Sequence, residues 1–394
     1  MKTSLPFAML ADDVTGACDT GVQFAAVGLS TEVFLKSEGL PDTMPELTVL
    51  ATETRNATAT DSRAKITTSC ERLKARGLHL VYKKIDSTLR GQIAAELEAA
   101  MRCFAFTHAV VTPAFPATGR ILVDGWLRGC HGVDVEPVHL ATLLRENGIN
   151  DIRTLGLDSI RGNPEALSEL FESGQGVVVV DAETESDLAR ITASCMAQSH
   201  KPLLVGSGGL AIPLARHFGA TRSRSTTTKE HSRGRTDNRP VVLFIGSTNP
   251  VTVAQVQELI ASQKVAEYRL GDSLAEVTEV LSDRQVILIR IPIHRVSDEQ
   301  LQNDLSKLQA LFLKRHVGGV VVSGGDTATA VSQSLKVSSI HLENEVLPGI
   351  PRGHFRGGIA DGIAVATKAG GFGDVHALCE VVEHLCRAPI TTSE

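Results

Sequence analysis

The stretch VVLFIGSTNPVTVAQVQELI, residues 241–260, contains the pattern that decides the fold. Five apolar residues, Val241–Ile245, are followed by a short turn of Gly, Ser, Thr, Asn and Pro and then by a helical stretch. A near-continuous apolar run is typical of a strand that is buried on both faces of a sheet. Strands that alternate with helices at this spacing predict a parallel sheet covered by helices.

The same order of strand, turn and helix recurs at residues 6–28, 203–218 and 319–335, and the run VVVV at 177–180 is a further candidate strand. The chain has 394 residues, and a domain typically takes about 100–200. We therefore predict the α/β class, with two domains that each contain a mainly parallel sheet flanked by helices and with a ligand cleft between them.

One segment, ATRSRSTTTKEHSRGRTDNR at residues 220–239, interrupts this order. It is rich in Ser, Thr and Arg and contains no apolar side chain larger than that of Ala. Such a segment cannot bury surface, so it predicts a solvated linker rather than a nucleic-acid-binding patch. The predicted organisation is a first domain at 1–220, a linker at 221–239 and a second domain at 240–394.

The composition excludes several classes of protein. A hydrophobic fraction of 42% is too high for a disordered chain. The net charge of −6, from 39 basic and 45 acidic residues, argues against nucleic acid as the main partner. One Trp, two Tyr and twelve Phe leave few rings for a stacking platform.

Compartment and membrane contact are also constrained by the sequence. No window reaches the roughly 18 consecutive apolar residues of a membrane helix, and the first ten residues are typical of a strand rather than of a signal peptide. Seven scattered cysteines without a C-x-x-C pair fit reduced thiols, and a zinc site is not expected. We expect a cytoplasmic protein without a membrane partner.

Two adjacent carboxylates, Asp12 and Asp13, directly follow the first predicted strand. Open α/β sheets bind ligands at the carboxyl ends of their strands. A carboxylate there could accept hydrogen bonds from substrate hydroxyls, take a proton from one of them, or hold Mg²⁺. The alternative is an N-cap for the helix that begins near Thr15, and it would account for one of the two residues.

The motif KKIDSTLRG, residues 83–91, lies between a predicted strand, Leu78–Tyr82, and a predicted helix. Alternation along an extended segment places Lys84 and Asp86 on one face, where both could contact one ligand. Ser87 and Arg90 would then lie at the N-terminus of the helix, where anions bind favourably. The alternative is a solvated turn that Ser87 caps, but three cations within eight residues favour an anionic substrate.

Two further loops follow predicted strands of the first domain. In TETRN, residues 52–56, Arg55 could bind a carboxylate through its forked guanidinium, although a surface arginine is the default interpretation. In PAFPATGR, residues 113–120, two prolines and a glycine predict a rigid loop that either shapes a ligand site or serves only as a turn.

The second domain contains three turns of small residues, GSTNP at 246–250, SGGDT at 323–327 and TKAGGFG at 367–373, and a rigid loop LPGIP at 347–351. Small residues between a strand and a helix allow backbone N–H groups to approach a phosphate. Each turn alone is a common junction, but three in one domain favour a nucleotide site. A P-loop is absent, and no G-x-G-x-x-G follows a strand, which weakens a dehydrogenase interpretation.

These motifs occur in the order found in one known family, and the sequence resembles the four-carbon acid sugar kinases from Leu10 to Gly373. The motifs KKIDSTLRG and ADD-x-TGA are the specific ones. The resemblance implies a sugar-acid-binding N-terminal domain and a nucleotide-binding C-terminal domain. It also implies ATP-dependent phosphorylation of the terminal hydroxyl of D-threonate, D-erythronate or 3-oxo-tetronate, with D-threonate as our first choice. The last turn departs from the family's usual lysine-serine-glycine-asparagine-phenylalanine-glycine at Ala369 and Gly371.

Matching the motifs residue by residue assigns roles to positions of this chain. The implied substrate-binding residues are Asp12, Asp13, Arg55, Lys83, Lys84, Asp86 and Ser87. The implied ATP-binding residues are Ser247, Gly324, Gly325, Asp326, Thr327 and Gly370. The resemblance assigns no metal ligands.

The mechanism that we expect depends on positioning and charge neutralisation. Arg55 and Lys84 would bind the carboxylate and hydroxyls of the substrate, and Asp12 or Asp13 would be the catalytic base. The glycine turns would hold the ATP phosphates, Mg²⁺ would bridge their oxygens, and flexing of the linker would close the site. A non-catalytic sensor of sugar acids or nucleotides is the alternative of another class, and a homodimer is plausible.

Overall fold

The computed structural model describes residues 6–130, 133–172, 175–220, 239–270, 286–291, 298–307, 309, 312 and 317–386. The chain divides into two compact units, Met1–Ser223 and Arg224–Glu394. The linker predicted at 221–239 lies outside the described residues except for Arg239. Within the described residues, both units alternate strands with helices, and the predicted α/β class is confirmed.

The first unit contains one large parallel sheet in the strand order β2-β3-β1-β4-β11-β5-β10-β9. Its strands are β1 (Phe7–Ala11), β2 (Thr31–Phe34), β3 (Leu47–Ala51), β4 (His79–Lys84), β5 (His108–Thr112), β6 (Arg120–Val123), β7 (Trp126–Gly129), β8 (Val138–His139), β9 (Ile152–Leu155), β10 (Gly176–Val180) and β11 (Leu203–Gly206). Its helices are α1 (Val14–Ala26), α2 (Ala59–Ala75), α3 (Ile93–Phe104), α4 (Leu140–Glu146), α5 (Leu157–Arg161), α6 (Pro164–Glu172), α7 (Glu185–Ala197) and α8 (Gly208–Ala220).

Strand β4 extends two residues further than the predicted strand, because it includes Lys83 and Lys84. The apolar run ends at Tyr82, so the pattern alone indicated that the strand would end there. Lys83 is fully buried and forms an ion pair with Glu96 of α3, which compensates its charge inside the fold. A charged residue can therefore belong to this central strand.

The sequence pattern did not predict the small antiparallel sheet β6-β7-β8. Strands β6 and β7 are joined by Asp124 and Gly125, which both have positive φ, 52° and 73°. Two successive residues with positive φ form the hairpin turn that matches the twist of the flanking strands, and Asp-Gly is a preferred sequence for it. The rigid loop expected at 113–120 contains a short 3₁₀ turn, Pro116–Thr118, and leads into β6.

The second unit has the strand order β13-β14-β12-β15-β18-β17-β16. The first five strands are parallel, and β16, β17 and β18 pair antiparallel. Its strands are β12 (Val241–Ile245), β13 (Val265–Arg269), β14 (Val286–Arg290), β15 (Gly319–Ser323), β16 (Ser339–Leu347), β17 (Ile350–Arg356) and β18 (Ala364–Lys368). Its helices are α9 (Pro250–Ser262), α10 (Asp298–Lys307), α11 (Gly325–Ser334) and α12 (Ala377–Cys386).

The core of the second unit lies between this sheet and helices α9 and α12, and it includes Leu243, Val256, Val321 and Leu378. The loop LPGIP is the turn between β16 and β17, where Gly349 has φ of +77°. None of the described helices is long and apolar enough to cross a membrane.

Candidate active site

The carboxyl ends of β1 and β3, which are neighbouring strands, bring Asp12, Asp13 and Arg55 together. The Arg55 guanidinium donates to Asp12 through Nε (2.8 Å) and Nη2 (3.0 Å). It also donates to Asp13 through Nη1 and Nη2, at 2.8 Å each. One arginine thus neutralises part of two adjacent buried carboxylates, which would otherwise repel each other. The N–H of Thr54 donates to the Asp12 carbonyl (3.0 Å), which fixes the loop that carries Arg55.

The second carboxylate, Asp13, has a structural role as well. It is the N-cap of α1, where Oδ1 accepts from the Gly16 N–H (2.8 Å) and Oδ2 accepts from the Thr15 hydroxyl (2.7 Å). The capping alternative therefore applies to Asp13, while Asp12 has no part in the cap.

The electrostatics of this group favour the ionised form of Asp12. Burial alone would raise the pKa of Asp12, but the charges of Arg55 and Lys84 outweigh it and hold the pKa below its usual value. Burial opposes the charge of Arg55 as well, yet Asp13 and Asp12 raise its pKa above the ordinary value. Asp12 and Arg55 therefore stabilise each other's charged forms.

Lys84 lies next to this group. A Cβ atom on Gly16 would be 2.5 Å from Asp13 Oδ1 and 2.9 Å from Lys84 Nζ, so glycine leaves the space that both side chains occupy. The ammonium group donates to the Ile85 carbonyl (3.0 Å), and no carboxylate lies within 4 Å of it among the described residues. Lys84 is therefore a buried cation whose charge a bound anion would compensate.

Asp86 joins the same group from the loop after β4. Its Oδ1 lies 3.9 Å from Arg55 Nη2, and its Oδ2 accepts from Arg90 Nε (2.7 Å) and from the Thr88 hydroxyl. Burial alone would raise the pKa of Asp86, but Arg90 and Arg55 lower it by a larger amount. The Asp86 carboxylate is therefore ionised. Ser87 is half-buried in the turn that follows.

Lys83 faces away from this group. Its ammonium lies 2.6 Å from Glu96 Oε2 and donates to the Lys84 carbonyl (2.8 Å). The alternation that brings Lys84 toward Asp13 necessarily directs Lys83 to the other face of the sheet. Lys83 thus holds α3 against the sheet in this structure.

Asp19, which is not among the predicted site residues, also belongs to this end of the first unit. It follows Gly16 by three residues, which places both on one face of α1. Its carboxylate accepts from the Thr20 hydroxyl (2.7 Å). Burial raises the pKa of Asp19 to about 6, against the attraction of Lys84. The segment Asp19-Thr20-Gly21, which closely follows Asp13-Val14-Thr15-Gly16, was the available signal.

The carboxyl ends of β12, β15 and β18, which are adjacent parallel strands, bring together the predicted nucleotide residues of the second unit. Gly324 has φ of +109°, and a Cβ atom there would be 3.5 Å from the Ser247 backbone nitrogen. A Cβ atom on Gly370 would be 2.5 Å from Ser247 Oγ. Glycine is favoured at 324 by its positive φ and at 370 by the close approach of Ser247, and the three turns lie next to each other.

Helix α11 begins at Gly325, directly after this close approach. Thr327 Oγ1 and Ser323 Oγ are buried and have no hydrogen-bond partner among the described residues. Asp326, in contrast, is exposed on the first turn of the helix. Open donors and a helix N-terminus beside glycine turns are the chemistry that binds phosphate oxygens.

The glycine turn after β18 is held by two buried side chains, Lys368 and Gln255. Lys368 is fully buried, and its ammonium donates to the Thr252 hydroxyl (3.1 Å) and to the carbonyls of Ala369 and Gly370 (3.0 Å each). Burial lowers the pKa of Lys368 to about 8. The amide nitrogen of Gln255 lies within hydrogen-bond distance of three further carbonyls in the same turn, those of residues 372–374. The turn is therefore fixed before any ligand binds.

No group of three or more His, Cys, Asp or Glu with metal-binding geometry occurs in the described part of the chain.

Two domain families account for almost the whole chain. A family model described as a sugar-binding N-terminal domain matches residues 7–214, and one described as a nucleotide-binding C-terminal domain matches residues 242–378. The chain is 33% identical to a D-threonate kinase of Salmonella typhimurium, over 96% of this chain and 97% of that protein. It is also 33% identical to a D-threonate kinase of Bordetella bronchiseptica (95% and 96%), and 26% identical to a D-erythronate kinase of Heliobacterium modesticaldum (96% of each).

Solved structures agree with the fold. A Salmonella typhimurium protein described as a putative tRNA synthase superposes with a TM-score of 0.76 at 22% identity, over 96% of this chain and 98% of that one. A Bordetella bronchiseptica protein, solved with citrate as a domain-swapped dimer, is 29% identical, over 98% of this chain and 100% of that one, with a TM-score of 0.50. From its two domain matches and its full-length relatives, the chain belongs to the four-carbon acid sugar kinase family, a family of phosphotransferases.

Proposed function

We propose that this protein transfers a phosphoryl group from ATP to the terminal hydroxyl of a four-carbon sugar acid, with D-threonate as the first candidate. The observation that carries the proposal is the group formed by Asp12, Asp13, Arg55, Lys84 and Asp86 at one edge of the first sheet. Carboxylates accept hydrogen bonds from sugar hydroxyls, and the cations attract an acid. Two relatives of 33% identity are D-threonate kinases, which supports the choice of substrate.

In this proposal Asp12 and Asp13 orient the terminal hydroxyl, and one of them accepts its proton as the attack begins. The transition state of phosphoryl transfer is loose, so little charge develops on the attacking oxygen, and a carboxylate with a lowered pKa suffices. Asp12 is the better choice of the two, because Asp13 also caps α1. Asp86, Ser87 and Lys84 would bind the remaining hydroxyls, and Lys83 would contribute indirectly by fixing β4.

The nucleotide would be held by Ser247, the loop Gly324–Thr327 and Gly370. The fit rests on the close approach of the glycine turns and on the buried Thr327 hydroxyl, which has no hydrogen-bond partner among the described residues. ATP, when bound, supplies the phosphoryl group, and Mg²⁺ would neutralise the phosphate oxygens. Magnesium prefers phosphate oxygens and water to a dedicated protein cage, which agrees with the lack of a metal-binding cluster among the described residues.

Release of ADP from Mg·ATP, measured with the full chain against a panel of acids, tests the proposal. The panel contains D-threonate, D-erythronate, their L-forms and 3-oxo-tetronate. Turnover with one acid and not with its stereoisomers supports the kinase and identifies the substrate. D-Erythronate or 3-oxo-tetronate as the best substrate would replace D-threonate and leave the activity class intact.

A non-catalytic sensor is the alternative of another class. It predicts calorimetric binding of a sugar acid or ATP without ADP release from any mixture of the two. We further propose a homodimer, since a relative of 29% identity was solved as a domain-swapped dimer. The molar mass from light scattering, measured as the protein elutes from a size-exclusion column, would test this. A cytoplasmic location is part of the proposal and follows from the scattered cysteines.

A further inference from the structure

Arg120 differs from the other arginines near the proposed sugar-acid site because no carboxylate of the described residues lies within 4 Å of it. Arg55 donates to two carboxylates, and Arg90 donates to Asp86. Arg120 donates through Nη1 to the Thr118 hydroxyl (3.0 Å), while its Nε is buried and has no hydrogen-bond partner among the described residues. No ion pair of Arg120 within 4 Å occurs in the described part of the chain either.

The backbone around Arg120 is fixed. Phe115 N donates to the Arg120 carbonyl (2.8 Å), and Arg120 N donates back to the Phe115 carbonyl (3.2 Å). Ser207, at the end of β11, donates to the Ala114 carbonyl (2.9 Å) and ties the same loop to the next strand. The guanidinium is thus attached to a rigid loop rather than to a flexible one, as a preorganised binding group requires.

Arg120 stands at the same edge of the sheet as the proposed site. Its loop follows β5, and the strand order β1-β4-β11-β5 brings the carboxyl ends of these parallel strands to one edge. The charges of Asp86 and Asp19 attract the guanidinium, and that of Arg90 repels it. Burial lowers the pKa of Arg120, which is what a half-buried cation without a counter-ion would show.

Arg120 and the pair Asp12 and Asp13 follow strands of the first sheet that are not neighbours. Three strand spacings separate β1 from β5, roughly 14 Å at about 4.8 Å each. Long side chains from both ends shorten this gap. A sugar acid has its carboxylate and its reacting hydroxyl at opposite ends, so a carboxylate anchor must lie apart from Asp12 and Asp13.

We propose that Arg120 binds the carboxylate of the sugar acid and so determines that the enzyme accepts acids rather than uncharged polyols. This inference rests on the proposed function. The expected carboxylate contact is thereby reassigned from Arg55, whose donors already bind Asp12 and Asp13, to Arg120, whose Nε has no partner among the described residues. A guanidinium and a carboxylate can form two parallel hydrogen bonds, which fix orientation as well as charge.

The test compares Arg120→Met and Arg120→Lys with the wild-type enzyme. A matched control is Arg153→Met, because Arg153 is also half-buried in the first unit, donates to one carbonyl (Leu170, 2.9 Å) and has a buried Nε without a partner among the described residues. We measure KM for the preferred acid, KM for ATP, kcat, and kcat/KM for the tetritol in which –CH₂OH replaces the carboxylate. Thermal melts report whether each variant is folded.

We expect Arg120→Met to raise KM for the acid about 100-fold, with kcat and KM for ATP within threefold of wild type. Arg120→Lys should restore part of the affinity, and Arg153→Met should match wild type. Turnover of the tetritol should be the same in wild type and Arg120→Met, whether it is measurable or zero.

An unchanged KM for the acid in folded Arg120→Met would overturn the assignment. Equal losses for acid and ATP would overturn it as well, because they would indicate a structural role. If Arg120→Met does not fold, an unchanged KM in Arg120→Lys has the same meaning, since Lys cannot form the bidentate contact. Wild-type activity and acid binding are measured first. If the wild-type protein neither binds nor phosphorylates any acid, the proposed function is wrong, independently of Arg120.

Discussion

The ammonium group of Lys83 lies 2.6 Å from Oε2 of Glu96, and both side chains are almost completely shielded from solvent. The resemblance to the kinase family had placed Lys83 among the substrate-binding residues. In the structure its charge is used inside the protein, between β4 and α3. Variants of this ion pair distinguish a structural role of Lys83 from a role in substrate binding.

Lys83→Met should lower the free energy of unfolding by about 3 kcal/mol, because it leaves the Glu96 carboxylate buried without a counter-ion. The double variant Lys83→Met/Glu96→Leu should recover most of that loss, since apolar residues of similar volume can replace a buried ion pair. Denaturant unfolding of the three proteins measures this.

The double variant also tests the function of Lys83. Its KM for the sugar acid should stay within threefold of wild type. A folded double variant with KM raised tenfold or more would mean that Lys83 contacts the substrate after all.

The glycine turns of the second unit give a prediction with a matched control in adjacent residues. Gly370→Ala puts a Cβ atom 2.5 Å from Ser247 Oγ and 3.0 Å from Asn249 Cβ, so either the Ser247 side chain or the turn must shift. In Gly371→Ala the nearest atom is 3.6 Å away, an ordinary contact. We expect Gly370→Ala to raise KM for ATP at least tenfold and Gly371→Ala to leave it within twofold, with KM for the acid unchanged in both. Equal KM values for ATP in the two variants would show that Gly370 does not belong to the nucleotide site.

Asp19 gives a prediction about pH and stability. Burial raises its pKa to about 6 in the folded protein, so the folded state keeps the proton longer than the unfolded state does. Below about pH 4 Asp19 is protonated in the folded protein and costs no stability. As the pH rises toward 6 and above, its ionisation lowers the free energy of unfolding. We expect Asp19→Asn to be more stable than wild type by about 2–3 kcal/mol at pH 7.5 and equal to it near pH 4. Unfolding curves at several pH values check the sign, and a variant that is less stable at pH 7.5 would contradict it.

Asparagine variants also identify the catalytic base. Asp12→Asn should lower kcat by about 10²–10⁴, the range of general-base contributions, because the amide cannot accept the hydroxyl proton. Asp13→Asn should keep the helix cap, since asparagine is an equally good N-cap, and should have the smaller effect. Single-turnover rates of Asp12→Asn, Asp13→Asn and Asp19→Asn provide the comparison. Near-normal rates for both Asp12→Asn and Asp13→Asn, with loss only in Asp19→Asn, would assign the base to Asp19.

Local sequence pattern was enough to predict the fold class and part of the site. Alternation placed Lys84 and Asp86 on one face of the extended segment, and both reach the neighbourhood of Arg55 and Asp13. The position of acids and glycines after apolar runs located both groups of residues at the carboxyl ends of strands. These inferences need only the period of a strand and the direction of a parallel sheet.

Other features depend on contacts between distant parts of the chain. The pairing of Lys83 with Glu96 joins β4 to α3, and no local pattern distinguishes Lys83 from Lys84 by function. Whether Arg120 has a partner depends on residues from other parts of the chain. The sequence PAFPATGR alone does not show whether a carboxylate lies beside Arg120. The hairpin at Asp124-Gly125, in contrast, had a readable turn signal in the sequence.

The most direct test of the account is to identify the product made by the full chain from Mg·ATP and D-threonate, using ³¹P–¹H correlation NMR. The account predicts equal amounts of ADP and a phosphate ester whose phosphorus couples to the protons of the terminal carbon. ADP formed without a new ester, an ester on an internal carbon, or no ADP from any four-carbon acid would contradict it.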